Sequence, residues 1–269
     1  MTSNSSELFP KRHLGQHFLI DKNIIHKMIS ASCFQPQEMI LEIGPGLGAL
    51  TKEMIGKVKK IIAIEKDLRF VEQLKEDFPS DSLTVIHADF LKFPIESLPK
   101  NVKLIGNLPY YIATPIMERI LNFRKYFSKI YLTVQWELGK RMTALHGCKE
   151  YGAFSLFVQF YSQPKILFKI KKTCFDPIPQ VDSCFIEMNI HTQTTHQVKE
   201  EKLLFQIIQT AFQQRRKTIN NALRNFLKQE ERNQILKKFQ LRENLRPENL
   251  TLKNYVDLTN EIYSLKKGK

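Results

Sequence analysis

Up to residue 190 the chain alternates short, nearly unbroken runs of Ile, Leu and Val with amphipathic stretches of helical length. The runs are Ile40–Ile43, Lys60–Ile64, Leu83–Ile86, Lys103–Gly106 and Ile130–Val134. A strand reads as a continuous apolar run only when both of its faces are covered, and crossover helices supply that cover. The pattern predicts βαβ units around a parallel sheet. A last pair, Lys165–Ile170 and Cys184–Ile190, alternates in part and is expected as an antiparallel hairpin at the sheet edge.

The segment His191–Gln197 (HTQTTHQ) is polar and has no period, so it reads as a linker. Beyond it, Leu203, Leu204, Ile207, Ile208 and Ala211 recur at helical spacing, as do Ile219, Leu223 and Leu227. Two domains are therefore expected, an α/β domain over 1–192 and a small all-helical one over 198–269. Residues 1–10 are polar, lack the apolar core of a secretory signal, and read as a disordered lead.

Charge points to the partner. Lys and Arg number 41 against 27 Asp and Glu, a formal +14, and residues 201–269 alone hold 15 basic and 7 acidic side chains. Such an excess suits a polyanion, because each cation set on a phosphate releases counterions. Gln213–Thr218 (QQRRKT) concentrates it, and Arg215, Arg216 and Lys217 read as RNA phosphate contacts or, more plainly, as a solvated face. Arg119, Arg124 and Lys125 are candidates to extend the patch. An anionic membrane surface is the rival partner, but no apolar run approaches the ~18 residues of a membrane span. The cysteines at 33, 148, 174 and 184 show no CxxC spacing, which fits reduced thiols in the cytoplasm and no metal centre.

Glu42-Ile43-Gly44-Pro45-Gly46-Leu47-Gly48 follows the first run. The glycines allow a sharp turn and a close approach to a ligand. Their GxGxG spacing differs from the GxGxxG of dinucleotide folds and suits the amino-acid part of S-adenosylmethionine, although a plain structural turn reads the same way. Glu65 ends the next run, 21 residues after Gly44, where a carboxylate can accept both ribose hydroxyls. Asp89 ends the one after, placed to accept from an adenine amino group or to cap a helix N-terminus. Three such ligands at three successive strand ends favour a nucleoside cofactor, at the strand edge where open α/β sheets bind.

Asn107-Leu108-Pro109-Tyr110 follows the fourth run. The amino nitrogen of adenine is a poor nucleophile because its lone pair is delocalised into the ring. The Asn107 oxygen and a backbone carbonyl of Leu108-Pro109 can accept its two N–H groups and favour a pyramidal nitrogen. Tyr110 offers a stacking face for an extruded base. Phe175, on the Pro-stiffened loop Phe175–Ser183 (FDPIPQVDS), is either a second stacking ring or a core residue.

Lys11–Leu19 (KRHLGQHFL), Leu41–Thr51 (LEIGPGLGALT), Asn107–Tyr111 (NLPYY), Phe175–Ser183 and Ala211–Leu223 (AFQQRRKTINNAL) together resemble the bacterial small-subunit rRNA adenine dimethyltransferases of the KsgA/RsmA type. The resemblance covers nearly the whole chain. It implies a Rossmann-like methyltransferase fold with a basic helical C-terminal RNA- and ribosome-binding domain. It implies dimethylation of two adjacent adenosines in a hairpin loop near the 3′ end of 16S rRNA, within the assembling 30S subunit. By the same resemblance S-adenosylmethionine is the cofactor, held by His17, Leu19, Gly44, Glu65, Asp89 and Asn107, with Gly46 in the same loop. The protein is expected to act as a monomer. His17 and Tyr111 stand where the family usually has Asn.

Two alternatives come from the same superfamily, and a third lies outside it. The first is an Erm-type enzyme acting on 23S rRNA. The second is a ribosome-assembly factor whose binding role outweighs catalysis. An NAD-linked oxidoreductase is weakened by the GxGxG spacing.

Overall fold

The computed structural model describes residues 16–191 and 197–267, so the lead at 1–10, Lys11–Gly15 and most of the expected linker lie outside the described residues. The chain divides into two compact units. The first runs up to Gly139 and resumes over Pro164–Ile190. The second takes Lys140–Gln163 and everything from His191 onward.

The first unit is built from β1 (Phe18–Leu19), α1 (Lys22–Ser32), β2 (Met39–Ile43), α2 (Ala49–Met54), β3 (Lys60–Glu65), α3 (Leu68–Asp77), β4 (Leu83–His87), β5 (Val102–Asn107), α4 (Ala113–Asn122) and β6 (Phe127–Gln135). The chain passes out through α5 (Trp136–Thr143), forms α6 (Ala153–Tyr161), and returns along β7 (Ser162–Ile170), β8 (Phe175–Asp176) and β9 (Ser183–Ile190). Seven strands form one sheet in the order β4-β3-β2-β5-β6-β9-β7. Strands β2 to β6 pair in parallel, and β9 pairs antiparallel with β6.

The five apolar runs are these parallel strands. Ile40, Leu41, Ile61, Ala63, Leu104, Ile105, Ile130, Leu132 and Val134 are all fully buried, as strands covered on both faces must be. Only β4, at the edge, is half-exposed along its length. The final pair lies at the sheet edge as expected, with β7 outermost and β9 between β6 and β7, which is why Cys184, Phe185, Ile186 and Met188 are buried.

Local chemistry sets the helix starts. Asp21 caps α1 by accepting from the Asn23 and Ile24 N–H groups, and Asp67 caps α3 by accepting from that of Arg69. A separate two-stranded ribbon joins β1 to β8, with Phe18 opposite Asp176 and Leu19 opposite Phe175. That ribbon brings residues far apart in sequence to one place.

The second unit contains α6 together with α7 (Glu201–Gln213), α8 (Ile219–Leu223), α9 (Gln229–Lys238) and α10 (Leu252–Lys267). The predicted apolar stripe of α7 is buried, as are Ile219, Leu223 and Leu227. A single boundary near residue 192 is therefore too simple, because 140–163 also belongs to the helical unit. Phe157, Phe160 and Tyr161 of α6 pack edge-on or tilted against Phe205 of α7, and Tyr161 donates to the Glu201 carboxylate at 2.7 Å. Tyr151 donates to the Leu250 carbonyl at 3.0 Å. No helix among the described residues is long and apolar enough to cross a membrane.

Candidate active site

The carboxyl ends of β2, β3, β4 and β5 converge on a cleft in the first unit. It consists of two adjoining hollows, which share Gln16, Gly44, Glu65 and Pro109 in their walls.

Gly44 lies in the left-handed region at φ +63°, and a Cβ there would meet no protein atom within 4 Å. It would stand in the open cleft, so the space it leaves is available to a ligand. At Gly46, also left-handed, a Cβ would come within 2.8 Å of the Phe18 ring that lines the first hollow. Glycine takes this path without backbone strain at both places, and at Gly46 it also spares the Phe18 ring.

Glu65, at the end of β3, fastens the loop. One carboxylate oxygen accepts from the Gly46 N–H at 3.1 Å, and the other accepts from the Lys66 and Asp67 N–H groups at 2.8 Å each. Burial raises its pKa, and the three N–H donors oppose that rise. Behind the loop, Glu42 is fully buried and accepts from the Thr51 hydroxyl at 2.6 Å. Burial pushes its pKa up to about 7 against that hydrogen bond, with the Glu65 charge adding to the rise.

Asp89 lies in the second hollow beside Ile64, Ala88, Phe90, Ile112 and Ile116. Its Oδ1 accepts from the Leu91 N–H at 2.9 Å, which closes a turn and not the helix start that the sequence also allowed. Its Oδ2 pairs with Lys66 at 2.9 Å. Burial alone would raise its pKa, but Lys66, the Leu91 N–H and Lys92 outweigh it and hold the carboxyl below its ordinary value. Lys66 and Tyr111 line the same hollow, and neither was singled out for it in the sequence.

In the first hollow the Asn107 amide nitrogen donates to the His17 carbonyl at 2.9 Å. The reverse orientation would set two carbonyl oxygens against each other, so Oδ1 is the atom left to accept. Pro109 uses its carbonyl on the Ile112 N–H at 3.2 Å, whereas no described donor meets that of Leu108. Of the two backbone carbonyls open in the sequence, that of Leu108 is the one available. The Tyr110 hydroxyl shares a 2.6 Å hydrogen bond with Ser183, and burial, partly offset by that bond, raises its pKa. His17 stacks on the Tyr110 ring at 5.5 Å and donates from Nδ1 to the Pro177 carbonyl at 2.6 Å.

The structure thus gathers His17, Gly44, Gly46, Glu65, Asn107, Leu108, Pro109 and Tyr110 on one hollow, and Asp89 on its neighbour. Two expected site residues lie elsewhere. Leu19 (5% exposed) and Phe175 (1%) face each other in the β1–β8 ribbon and pack into the core, so neither side chain lines the cleft. The ring stacked on Tyr110 is that of His17. Arg215, Arg216 and Lys217 belong to the helical unit, just after α7. Arg216 and Lys217 are exposed, but Arg215 is half-buried, donating to the Cys148 carbonyl at 3.3 Å and pairing with Glu248 at 3.6 Å. Arg119 is likewise tied down, donating to the Phe93 carbonyl at 2.5 Å.

An open parallel sheet with one reversed inner strand, a glycine loop after its first parallel strand and carboxylates at the next two strand ends define a Rossmann-like S-adenosylmethionine-dependent methyltransferase. A model of the family described as "Ribosomal RNA adenine dimethylase" matches residues 9–264. The chain belongs to that family, in its KsgA/RsmA branch, and is an rRNA adenine dimethyltransferase. The ribosomal RNA small subunit methyltransferase A of Protochlamydia amoebophila is 36% identical over 97% of this chain and 94% of its own length. Among solved structures, a dimethyladenosine transferase from Plasmodium falciparum superposes with a TM-score of 0.81 at 23% identity, covering 94% of this chain and 98% of that one. The 23S rRNA methyltransferase ErmE superposes at 0.75 with 18% identity, covering 91% and 99%. At such identities these two superpositions speak to the fold.

Proposed function

We propose that the protein dimethylates the N6 amino groups of two adjacent adenosines in a hairpin loop near the 3′ end of 16S rRNA. It would do so as a monomer in the cytoplasm during assembly of the small ribosomal subunit, with S-adenosylmethionine in the cleft. The observation that carries the adenine chemistry is the fixed orientation of Asn107, whose amide nitrogen is committed to the His17 carbonyl. The small-subunit assignment is supported by the name and the 36% identity of the full-length relative.

When bound, the cofactor supplies an electrophilic methyl carbon on a sulfonium. The second hollow suits its adenosine, with apolar walls for the ring, Asp89 for the amino group and Glu65 for the ribose hydroxyls. Around Gly44 the backbone makes room for the amino-acid end.

Asn107 Oδ1 and the Leu108 carbonyl accept the two N–H groups of the target amine and favour a pyramidal nitrogen with its lone pair free. Tyr110, pinned by Ser183, presents its ring to the extruded base. No side chain needs to remove a proton first, because the methylated nitrogen becomes acidic and can lose its proton afterwards. Arg216 and Lys217 of the helical unit contribute phosphate contacts.

The test is tritiated methyl incorporation into small subunits that lack the modification, with mature large subunits alongside. Label recovered as N6,N6-dimethyladenosine from the small-subunit RNA is the expected result. Label only in large subunits would transfer the reading to the Erm type. Cofactor binding with no label in either would favour an assembly factor.

A further inference from the structure

The loop between β7 and β9 is fixed to the site at several points. β8 pairs with β1, the Pro177 carbonyl accepts from His17, and Ser183 bonds the Tyr110 hydroxyl. Asp182 ties it further, its carbonyl accepting the Trp136 N–H at 3.0 Å and its Oδ1 the Lys172 N–H at 3.0 Å. A loop held so firmly has a set position relative to Tyr110.

That fixed loop nevertheless turns apolar side chains to solvent. Ile178 is 61% exposed and Val181 39%. Nothing in a folding argument requires a branched aliphatic residue there, one position beyond the proline that holds His17. Around them the charge is positive. Lys165, Lys169, Lys171 and Lys172 are exposed, against only Asp176 and Asp182 in the same stretch. Asp182 neutralises Lys169, its partner at 2.7 Å, whose ammonium also lies 5.3 Å from the centre of the Trp136 ring. Lys171 and Lys172 remain exposed at the base of the loop, where the Lys172 N–H meets Asp182, the residue after Val181.

We infer that this lip is a second RNA-contact surface, on the catalytic unit, which holds the single-stranded nucleotides flanking the adenosine to be methylated. The inference rests on the proposed RNA substrate and assigns residues to it. Lys171 and Lys172 take the phosphates, and Ile178 with Val181 covers a neighbouring base that has lost its stacking partner. Cations interleaved with apolar faces are what unpaired RNA requires, since its bases are exposed as well as its phosphates. The match to an rRNA-modifying family favours RNA over an acidic protein as the occupant.

The full chain tests this with two variants, Lys171→Glu/Lys172→Glu and Ile178→Ser. Three quantities are read: S-adenosylhomocysteine affinity by calorimetry, affinity for a fluorescent RNA hairpin with an adenosine-containing loop at several salt concentrations, and methyl transfer to unmodified small subunits. Both variants should bind S-adenosylhomocysteine within about twofold of wild type, since none of the three side chains lines the cleft. The double charge reversal should weaken hairpin binding by roughly tenfold or more and flatten its salt dependence by at least the slope of two phosphate contacts. Ile178→Ser should weaken it several-fold, on the order of one lost base contact, with the slope unchanged. Unchanged hairpin affinity in the double variant overturns the inference, and so does an equal loss of S-adenosylhomocysteine affinity, which would make the lip structural. If the wild type binds the hairpin but methylates neither subunit, the proposed reaction fails while the binding comparison still decides the role of the lip.

Discussion

The Asn107 side chain and the His17 backbone, 90 residues apart, meet in a 2.9 Å hydrogen bond that fixes which atom of the amide faces the reaction. Without it the amide could present either nitrogen or oxygen to the target amine, and only the oxygen can accept. The segment around His17 therefore shapes the chemistry through its backbone. Its imidazole separately stacks on Tyr110.

Asn107→Ala removes one of the two acceptors. Methyl transfer should fall by at least 100-fold, on the scale of losing an oriented charge-stabilising contact, with S-adenosylhomocysteine affinity changed only a few-fold. Asn107→Asp is the sharper probe, because a carboxylate would oppose the His17 carbonyl and lose the anchoring bond. It should be as inactive as Ala despite keeping an oxygen. Single-turnover rates measure both, and substantial turnover by the Asp variant would remove the orientation argument.

Lys66 pairs with Asp89, the carboxylate that the second hollow would offer to an adenine amino group. Lys66→Met keeps the aliphatic stem and removes the competitor. Affinity for S-adenosylhomocysteine should rise by roughly two- to fivefold, the range of a surface ion pair. Calorimetry in low salt gives the value, and a loss of affinity would mean that Lys66 itself holds the ligand.

The parallel sheet was legible because strands buried on both faces must be apolar at every position, and Ile40–Ile43 and Lys60–Ile64 are. The strand-end positions of Gly44, Gly46, Glu65 and Asp89 were legible for a related reason, and the cleft gathers all four, although Glu65 also fastens the loop and Asp89 also closes a turn. What escaped detection depends on distant partners. α6 reads as apolar with no polar face, so nothing local told that it packs on α7, 40 residues later, and not on the sheet. Phe175 has the composition of a stacking residue, but pairing with Leu19 turns it inward. Lys66 is one ordinary surface lysine until Asp89 is brought to it.

Glu42 makes stability depend on pH. Its pKa is about 7 in the folded protein, against an ordinary value near 4.5. Between those values the folded state keeps a proton that the unfolded chain has lost, so stability falls as pH rises through this window. The full effect is on the order of 3 kcal/mol. Glu42→Gln keeps an acceptor for Thr51 and cannot ionise. Urea unfolding at pH 5 and pH 8 should show the wild type losing about 2–3 kcal/mol more than the variant. Parallel losses would mean that Glu42 stays ionised in the fold.

Tyr151 tests the assignment of 140–163 to the helical unit. It is 2% exposed, and its hydroxyl is committed to the Leu250 carbonyl at 3.0 Å. Tyr151→Phe keeps the ring against Phe212 and leaves that carbonyl without its donor, at a cost of about 1–3 kcal/mol. If 140–163 is part of the helical unit, the loss is local to it. Hydrogen exchange should quicken in α7 and α10, while the amides of β2, β3 and β5 keep their protection. Exchange that quickens in the strands and spares α7 would return the segment to the sheet domain, with the boundary where the polar run at 191–197 first suggested it.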